Sequence, residues 1–194
     1  MRIDRKLHLV IPIVREGGAQ CYVHSTPISA QVFDTYYLTI AKTHSAIFAE
    51  GLGLLSGPRV ADKLLREAAI AAGRWEDSRN DSGTLLQAGV KNGLVAEMQR
   101  MTVVFAPGAS GWDTVPFDQA VKRAVIDEDE ASEVMAAITF FTVFSCMMRK
   151  SELTDALGGM KLWGARVESL NSTEFRNSLP TLTPGATSGA PATS

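Results

Sequence analysis

Two cysteines, Cys21 and Cys146, are too few and too far apart for a disulfide scaffold, and neither sits in a CxxC zinc half-site. They read as small buried hydrophobes of a reducing compartment. A basic excess is missing as well. Nineteen Lys and Arg face twenty-one Asp and Glu, for a net charge of −2, and the cations are scattered singly or in pairs such as Lys122-Arg123. Without a basic stripe, nucleic acid is not an expected partner. Long apolar runs are scarce. The most apolar uncharged stretch, "VMAAITFFTVFSCMM" at 134–148, falls short of the ~20 residues that cross a bilayer, so no membrane role is expected. The N-terminus has basic residues before an apolar run. However, Asp4 and Pro12 interrupt the pattern and Arg15-Glu16 replace a small-residue cleavage site, so the segment reads as a strand, not an export signal.

What remains is ordinary globular composition, 45% hydrophobic and 21% charged over 194 residues, enough for one sizeable core. "KLHLVIPI" and "QCYVHS" flank "REGGA", in which Gly17-Gly18 suits a tight turn. A β-hairpin over 6–25 is expected. A two-residue loop there would pair His24 with Ile11 and put His8 and His24 on opposite faces, which argues against a shared metal site.

Helical spacing takes over from 27 onward. Thr26 can cap and Pro27 suits a first turn, and Ile28, Val32, Phe33, Tyr36, Tyr37, Ile40, Ile47 and Phe48 form a wide apolar stripe to about Ala49. "GLGLLSGP" reads as a turn before a second helix starting at Pro58 and stopping near Gly73. A third helix is expected over 84–100. "MTVVFAPGASGWDTVPF" suggests two short extended pieces about a turn, followed by a helix led by Pro116 through Ala124 and Val125. Asp127 caps the helix that carries the uncharged stretch, and its acidic first turn complements the helix dipole. That helix is apolar nearly all round, so it is either the centre of the core or covered by a partner. Its Thr and Ser residues are expected to bond back to carbonyls one turn earlier. A last helical section over 151–178 is broken by glycines. From Pro180, "PTLTPGATSGAPATS" is too poor in apolar residues to offset chain entropy, and disorder is expected over 180–194. The expected fold class is therefore mainly α with a small N-terminal hairpin (α+β), as one globular domain over 1–179.

Chemistry is sparse. "GLGLLSGP" follows a helix and lacks GxGxxG spacing and a GK[ST] ending. "DSRNDSGTLLQA" has Arg79 and Ala88 where a calcium loop needs ligands. "DEDE" at 127–130 points in several directions. No GxSxG occurs. No catalytic residue, cofactor site or metal site is expected. A small enzyme with a dispersed site would have to gather His44 with an acidic residue in a polar pocket.

The order "KLHLVIPI", "YVHSTPIS" leading into an aromatic helix, "FFTVFSCMMRKSEL", then "LWGARVESLNSTEF" and a Pro/Thr/Ser tail resembles the tail assembly chaperones of long-tailed bacteriophages, over about residues 6–183. The resemblance is a pattern of segments with no single diagnostic motif. It implies a non-enzymatic protein of the host bacterial cytoplasm that binds the tape measure protein, keeps it soluble and helps recruit tail tube protein. Such chaperones are generally absent from the mature virion, and many also occur as a longer frameshifted product. The alternative is a structural virion protein, a head–tail connector or minor tail subunit. The surplus of aromatics and Met makes Tyr36, Tyr37, Phe140, Phe144, Met147 and Met148 the candidate protein-binding surface, for a client helix or for self-association.

Overall fold

The first strand, β1 (His8–Val14), alternates between two apolar faces, and that alternation organises the chain. The computed structural model describes residues 3, 6–16, 20–49, 53–71, 78–79, 85–86, 93–149, 152–153, 156, 158 and 164–182. Strand β1 pairs antiparallel with β2 (Gln20–Ser25), which is the expected hairpin. Gly17-Gly18 of its turn lie outside the described residues.

The hairpin is not a small appendage, as mainly-α composition suggested. It forms the middle of a five-stranded antiparallel sheet ordered β6-β5-β2-β1-β7, with β5 (Thr102–Gly108), β6 (Gly111–Pro116) and β7 (Arg166–Glu168). Two more short strands, β3 (Ser78–Arg79) and β4 (Leu85–Leu86), pair with each other as a separate two-stranded sheet among the described residues. Among the described residues, six helices with defined bounds accompany the sheets: α1 (Ala30–Ala49), α2 (Gly53–Ala71), α3 (Leu94–Arg100), α4 (Phe117–Lys122), α5 (Glu128–Met147) and α6 (Ser172–Ser178).

Several expected boundaries move, each for a local reason. Helix α1 starts after Ser29, whose Oγ accepts from the Val32 amide at 3.2 Å. Thr26 instead donates its amide to the Met101 carbonyl at 2.9 Å, which prolongs the sheet pairing. Helix α2 begins at Gly53, so most of the expected turn at 51–58 is helical, and Pro58 lies inside the helix. Leu85-Leu86 are extended, against the expected helix over 84–100; its described helical part is α3, and residues 84 and 87–92 lie outside the described residues. Helix α4 ends at Lys122, short of Ala124 and Val125. Within 151–178, residues 152, 153, 156 and 158 are helical, but 166–168 join the sheet.

Helix α5 answers the question raised by the uncharged stretch. From Ala136 to Cys146 every side chain is buried, so every direction around the axis meets protein. It is the described helix with the length and hydropathy to cross a bilayer, and burial against α1, α2 and the sheet accounts for that character. Its start is a capping box: Asp127 accepts from the Glu130 amide and Glu130 from the Asp127 amide, at 2.8 and 2.9 Å. Thr139 and Ser145 bond back to the carbonyls of Met135 and Thr142, at 2.8 and 3.1 Å, as expected. Phe140 and Phe144 stack with ring centroids 4.0 Å apart. Gly57 of α2 lets the helices close on that stack, because a Cβ there would stand 2.9 Å from Phe140 Cε2 and 3.1 Å from Ile47 Cγ2.

The sheet separates two cores. Leu9, Ile11, Ile13, Cys21, Val23, Val104, Ala106 and Val115 face the helices. Val10, Tyr22 and Phe105 face the other way and are covered by Phe175 of α6.

Two predictions test this packing. Gly57→Val should destabilise the chain by ~1–3 kcal/mol in urea titrations, because the added atoms overfill the contact with Phe140. Ala124 sits at φ 52° just past α4, where its amide and that of Val125 bond the Val121 and Ala120 carbonyls. Ala124→Gly should therefore stabilise by roughly 0.5–1 kcal/mol, seen as a raised denaturation midpoint.

Candidate functional site

The candidate surface residues separate by burial. Phe140 and Phe144 have 0% exposure and belong to the core, so neither forms part of a surface. The expectation failed there because an all-apolar helix is what the centre of a fold requires. Met147 and Met148 are half-buried where α5 ends. Tyr36 is half-buried on α1, and Tyr37 beside it is 53% exposed.

Helix α1 carries more than the tyrosines. Its inner face, Thr39, Ile40, Thr43 and Ile47, is buried against α2 and α5. Along its flank run Phe33, Tyr37, His44 and Phe48, at intervals of four, seven and four that keep one line on a helix. That stripe is about 22 Å long at 1.5 Å per residue. Phe33 and Tyr37 meet edge to face at 5.7 Å between centroids. Leu38 and Phe48 are each 49% exposed, large side chains that the chain leaves half in solvent. The Phe48 ring lies 5.8 Å from that of Phe144, so the stripe runs into the buried aromatic stack of α5. The Tyr36/Tyr37 face and the C-terminal end of α5, two separate candidates in the sequence, thereby join at Phe48. The exposed Leu38 and Phe48, and the half-buried Phe33 beside Tyr37, were not singled out from the sequence as surface residues. Their helical spacing was visible, but a wide stripe does not show which of its edges is left uncovered.

A cleft of about 620 Å³ lies elsewhere, between β1, α2 and α5. Ile11, Ile13, Val60, Val134 and Ala137 give it an apolar floor, with Arg59 and Lys63 on one wall and Glu130 and Glu133 on the other. Beside it, Arg15 at the end of β1 makes a two-pronged ion pair with Glu130 and donates to the Val125 carbonyl at 2.6 Å. The Arg15 hydrogen bonds hold the Glu130 carboxyl below its ordinary pKa. Glu130 is thus committed to a structural latch between the strand and the start of α5.

The histidines overturn one inference. Strand β1 ends at Val14 opposite Gln20, so the loop is longer than the two-residue turn expected, and His24 pairs with Val10 in place of Ile11. That one-residue shift puts His8 and His24 on the same face, with ring centroids 5.0 Å apart. Among the described residues no third metal-ligating side chain joins them. His44 is flanked by the rings of Phe48 and Phe144, and burial lowers its pKa. Both cysteines are buried and unpaired, and burial pushes the Cys146 thiol up to about 12.

Compared with protein-family models, with curated proteins and with solved structures, the chain matches none of them.

The Arg15–Glu130 latch yields a pH test. A carboxyl with a depressed folded-state pKa stabilises above its unfolded value of 4.5, and that stability is lost as the pH falls through the folded value. Glu130→Gln keeps an acceptor for the capping box and removes the charge. It should cost ~1 kcal/mol at neutral pH, modest because the pair is partly exposed, with the gap to the parent closing below pH 4.5 in urea titrations.

Proposed function

We propose that this chain is a non-enzymatic assembly chaperone of a long-tailed bacteriophage, acting in the host bacterial cytoplasm. It binds the tape measure protein through the aromatic flank of α1, keeps it soluble and helps recruit tail tube protein. The segments that carry the resemblance include β1, β2 with the start of α1, and the second half of α5.

The observation that carries the reading is that Tyr37 and Phe48, on one line of α1, are both half-exposed, with Leu38 half-exposed on the neighbouring flank. A tape measure protein is a long helix, and a helix with one apolar face docks on a stripe of this kind through anchors one turn apart. Aromatic side chains supply large contact area with few rotatable bonds, which suits a surface that must accept many client segments. A chaperone needs no reacting group, and no polar cluster is required of this stripe.

The test is binding of tape measure fragments to the purified chain. Tyr37→Asp combined with Phe48→Asp should leave the fold intact, since both rings are half in solvent, and weaken binding by at least about tenfold. A folded double variant that binds as well as the parent would sink the α1 surface. Mass spectrometry of purified virions should lack the chain; its presence at a fixed stoichiometry would replace the chaperone with a structural subunit.

A further inference from the structure

The second face of the sheet is closed by a strap. After β7 the chain crosses under β1 and β2 with Leu170 and α6 and ends its described course at Leu182. Side chains of the sheet tie it at both ends. His24 Nε2 donates to the Leu170 carbonyl at 3.0 Å, and Trp112 Nε1 of β6 donates to the Pro180 carbonyl at 2.8 Å. Between these ties Phe175 sits fully buried on Tyr22, His24 and Phe105, with centroids 5.7 Å from each. Helix α6 is held at its start by a capping box of Asn171 and Glu174.

Two imidazoles lie under this strap. His8 and His24 are 6% and 1% exposed, and the His8 Nδ1 has no hydrogen-bond partner. The charged groups that reach them are few. Glu174 of α6 acts on His8 and Glu168 of β7 acts on His24, each favouring protonation. Both carboxylates are already engaged, Glu174 with the Asn171 amide and Glu168 with Arg166, which also lies over Phe175. Tyr22 is the other ionisable side chain on this face, and it is in contact with Phe175.

We propose that the Leu170–Leu182 strap is an acid-released cover, held closed while His8 and His24 are neutral and loosened when they protonate. Two cations 5.0 Å apart under an apolar lid repel each other and lose hydration; lifting the strap lets water rehydrate both and screen the repulsion. Burial lowers the pKa of both histidines in the closed state from the ordinary 6.5. The sign follows. The open state takes up protons first, so closure is full above pH 6.5 and weakens as the pH falls below it, until the closed-state values are reached. Each released histidine favours opening by up to about tenfold per pH unit over that window. Release would bare Tyr22, Phe105 and Val10, a second apolar face on the opposite side of the sheet from the helices.

Hydrogen exchange of the full chain, corrected for the intrinsic pH dependence, reads the strap directly. Between pH 7.5 and 5.5 the amides of 172–179 should lose roughly ten- to a hundredfold in protection, while those of α5 hold theirs. The double variant His8→Asn with His24→Gln keeps a donor toward the Leu170 carbonyl and removes both titrations, and its strap protection should not change with pH. Unchanged protection of the parent strap, or equal loosening in the double variant, overturns the proposal. Should the double variant not fold, carbon NMR of the parent's imidazoles decides. Midpoints below 6.5 that coincide with the strap's amide shifts support release, and midpoints at or above 6.5 refute it.

Discussion

Burial of α5 on all sides is the constraint on which the rest of the structure depends. A helix with phenylalanines at 140, 141 and 144 cannot turn any of these rings to water without a loss of ~1.5–3 kcal/mol each. It therefore dictates where α1, α2 and the sheet must stand. Gly57 answers the bulk of Phe140 from α2, and Ile47 answers it from α1. The inner face of α1 is used up in this way, and its flank is what remains toward solvent. Hiding the greasiest segment and leaving a line of half-exposed rings on its neighbour are two results of the same packing.

The sheet performs the second division of labour. Because successive side chains of β1 and β2 alternate, one set completes the helical core and the other builds a thin second layer with Phe175. That layer is small, with four fully covered apolar side chains, and depends on a short helix, two side-chain-to-carbonyl ties and a pair of buried imidazoles. The contrast between a thick core and a thin one explains why a titration could loosen one side of the sheet and spare the other. Arg15 adds stiffness to the thick side by joining the end of β1 to the cap of α5 and to the turn before it.

Much of the candidate site was legible, though in the wrong partition. The aromatic stripe of α1 stands out by its spacing, and Tyr37 does lie at the surface. Phe140 and Phe144 carry the same signal, since a phenylalanine that anchors a partner and one that fills a core are the same residue to a periodicity argument. Only the neighbours decide, and these come from Gly57, Ile47 and His44, distant in sequence. The histidine pair was lost to a smaller error. A register off by one residue inverts which side chains share a face, and loop length, set by residues 15–19, is weakly encoded locally. Strand β7 was missed for a related reason: three residues of alternating character carry too little pattern to outweigh helical flanks, and pairing with His8–Val10 makes them a strand.

By itself the sequence determined what is local. It encoded the β1–β2 hairpin, the caps at Asp127 and the back-bonded hydroxyls of α5, because each depends on residues within one turn or one loop of each other. It also determined that α5 had to be covered from Val134 onward, since no charge interrupts that part. The tertiary structure alone decided what covers it, how many strands join the hairpin, and which aromatic rings stay half in solvent. Those outcomes are set by contacts between segments far apart along the chain, whose energies no single stretch of sequence contains.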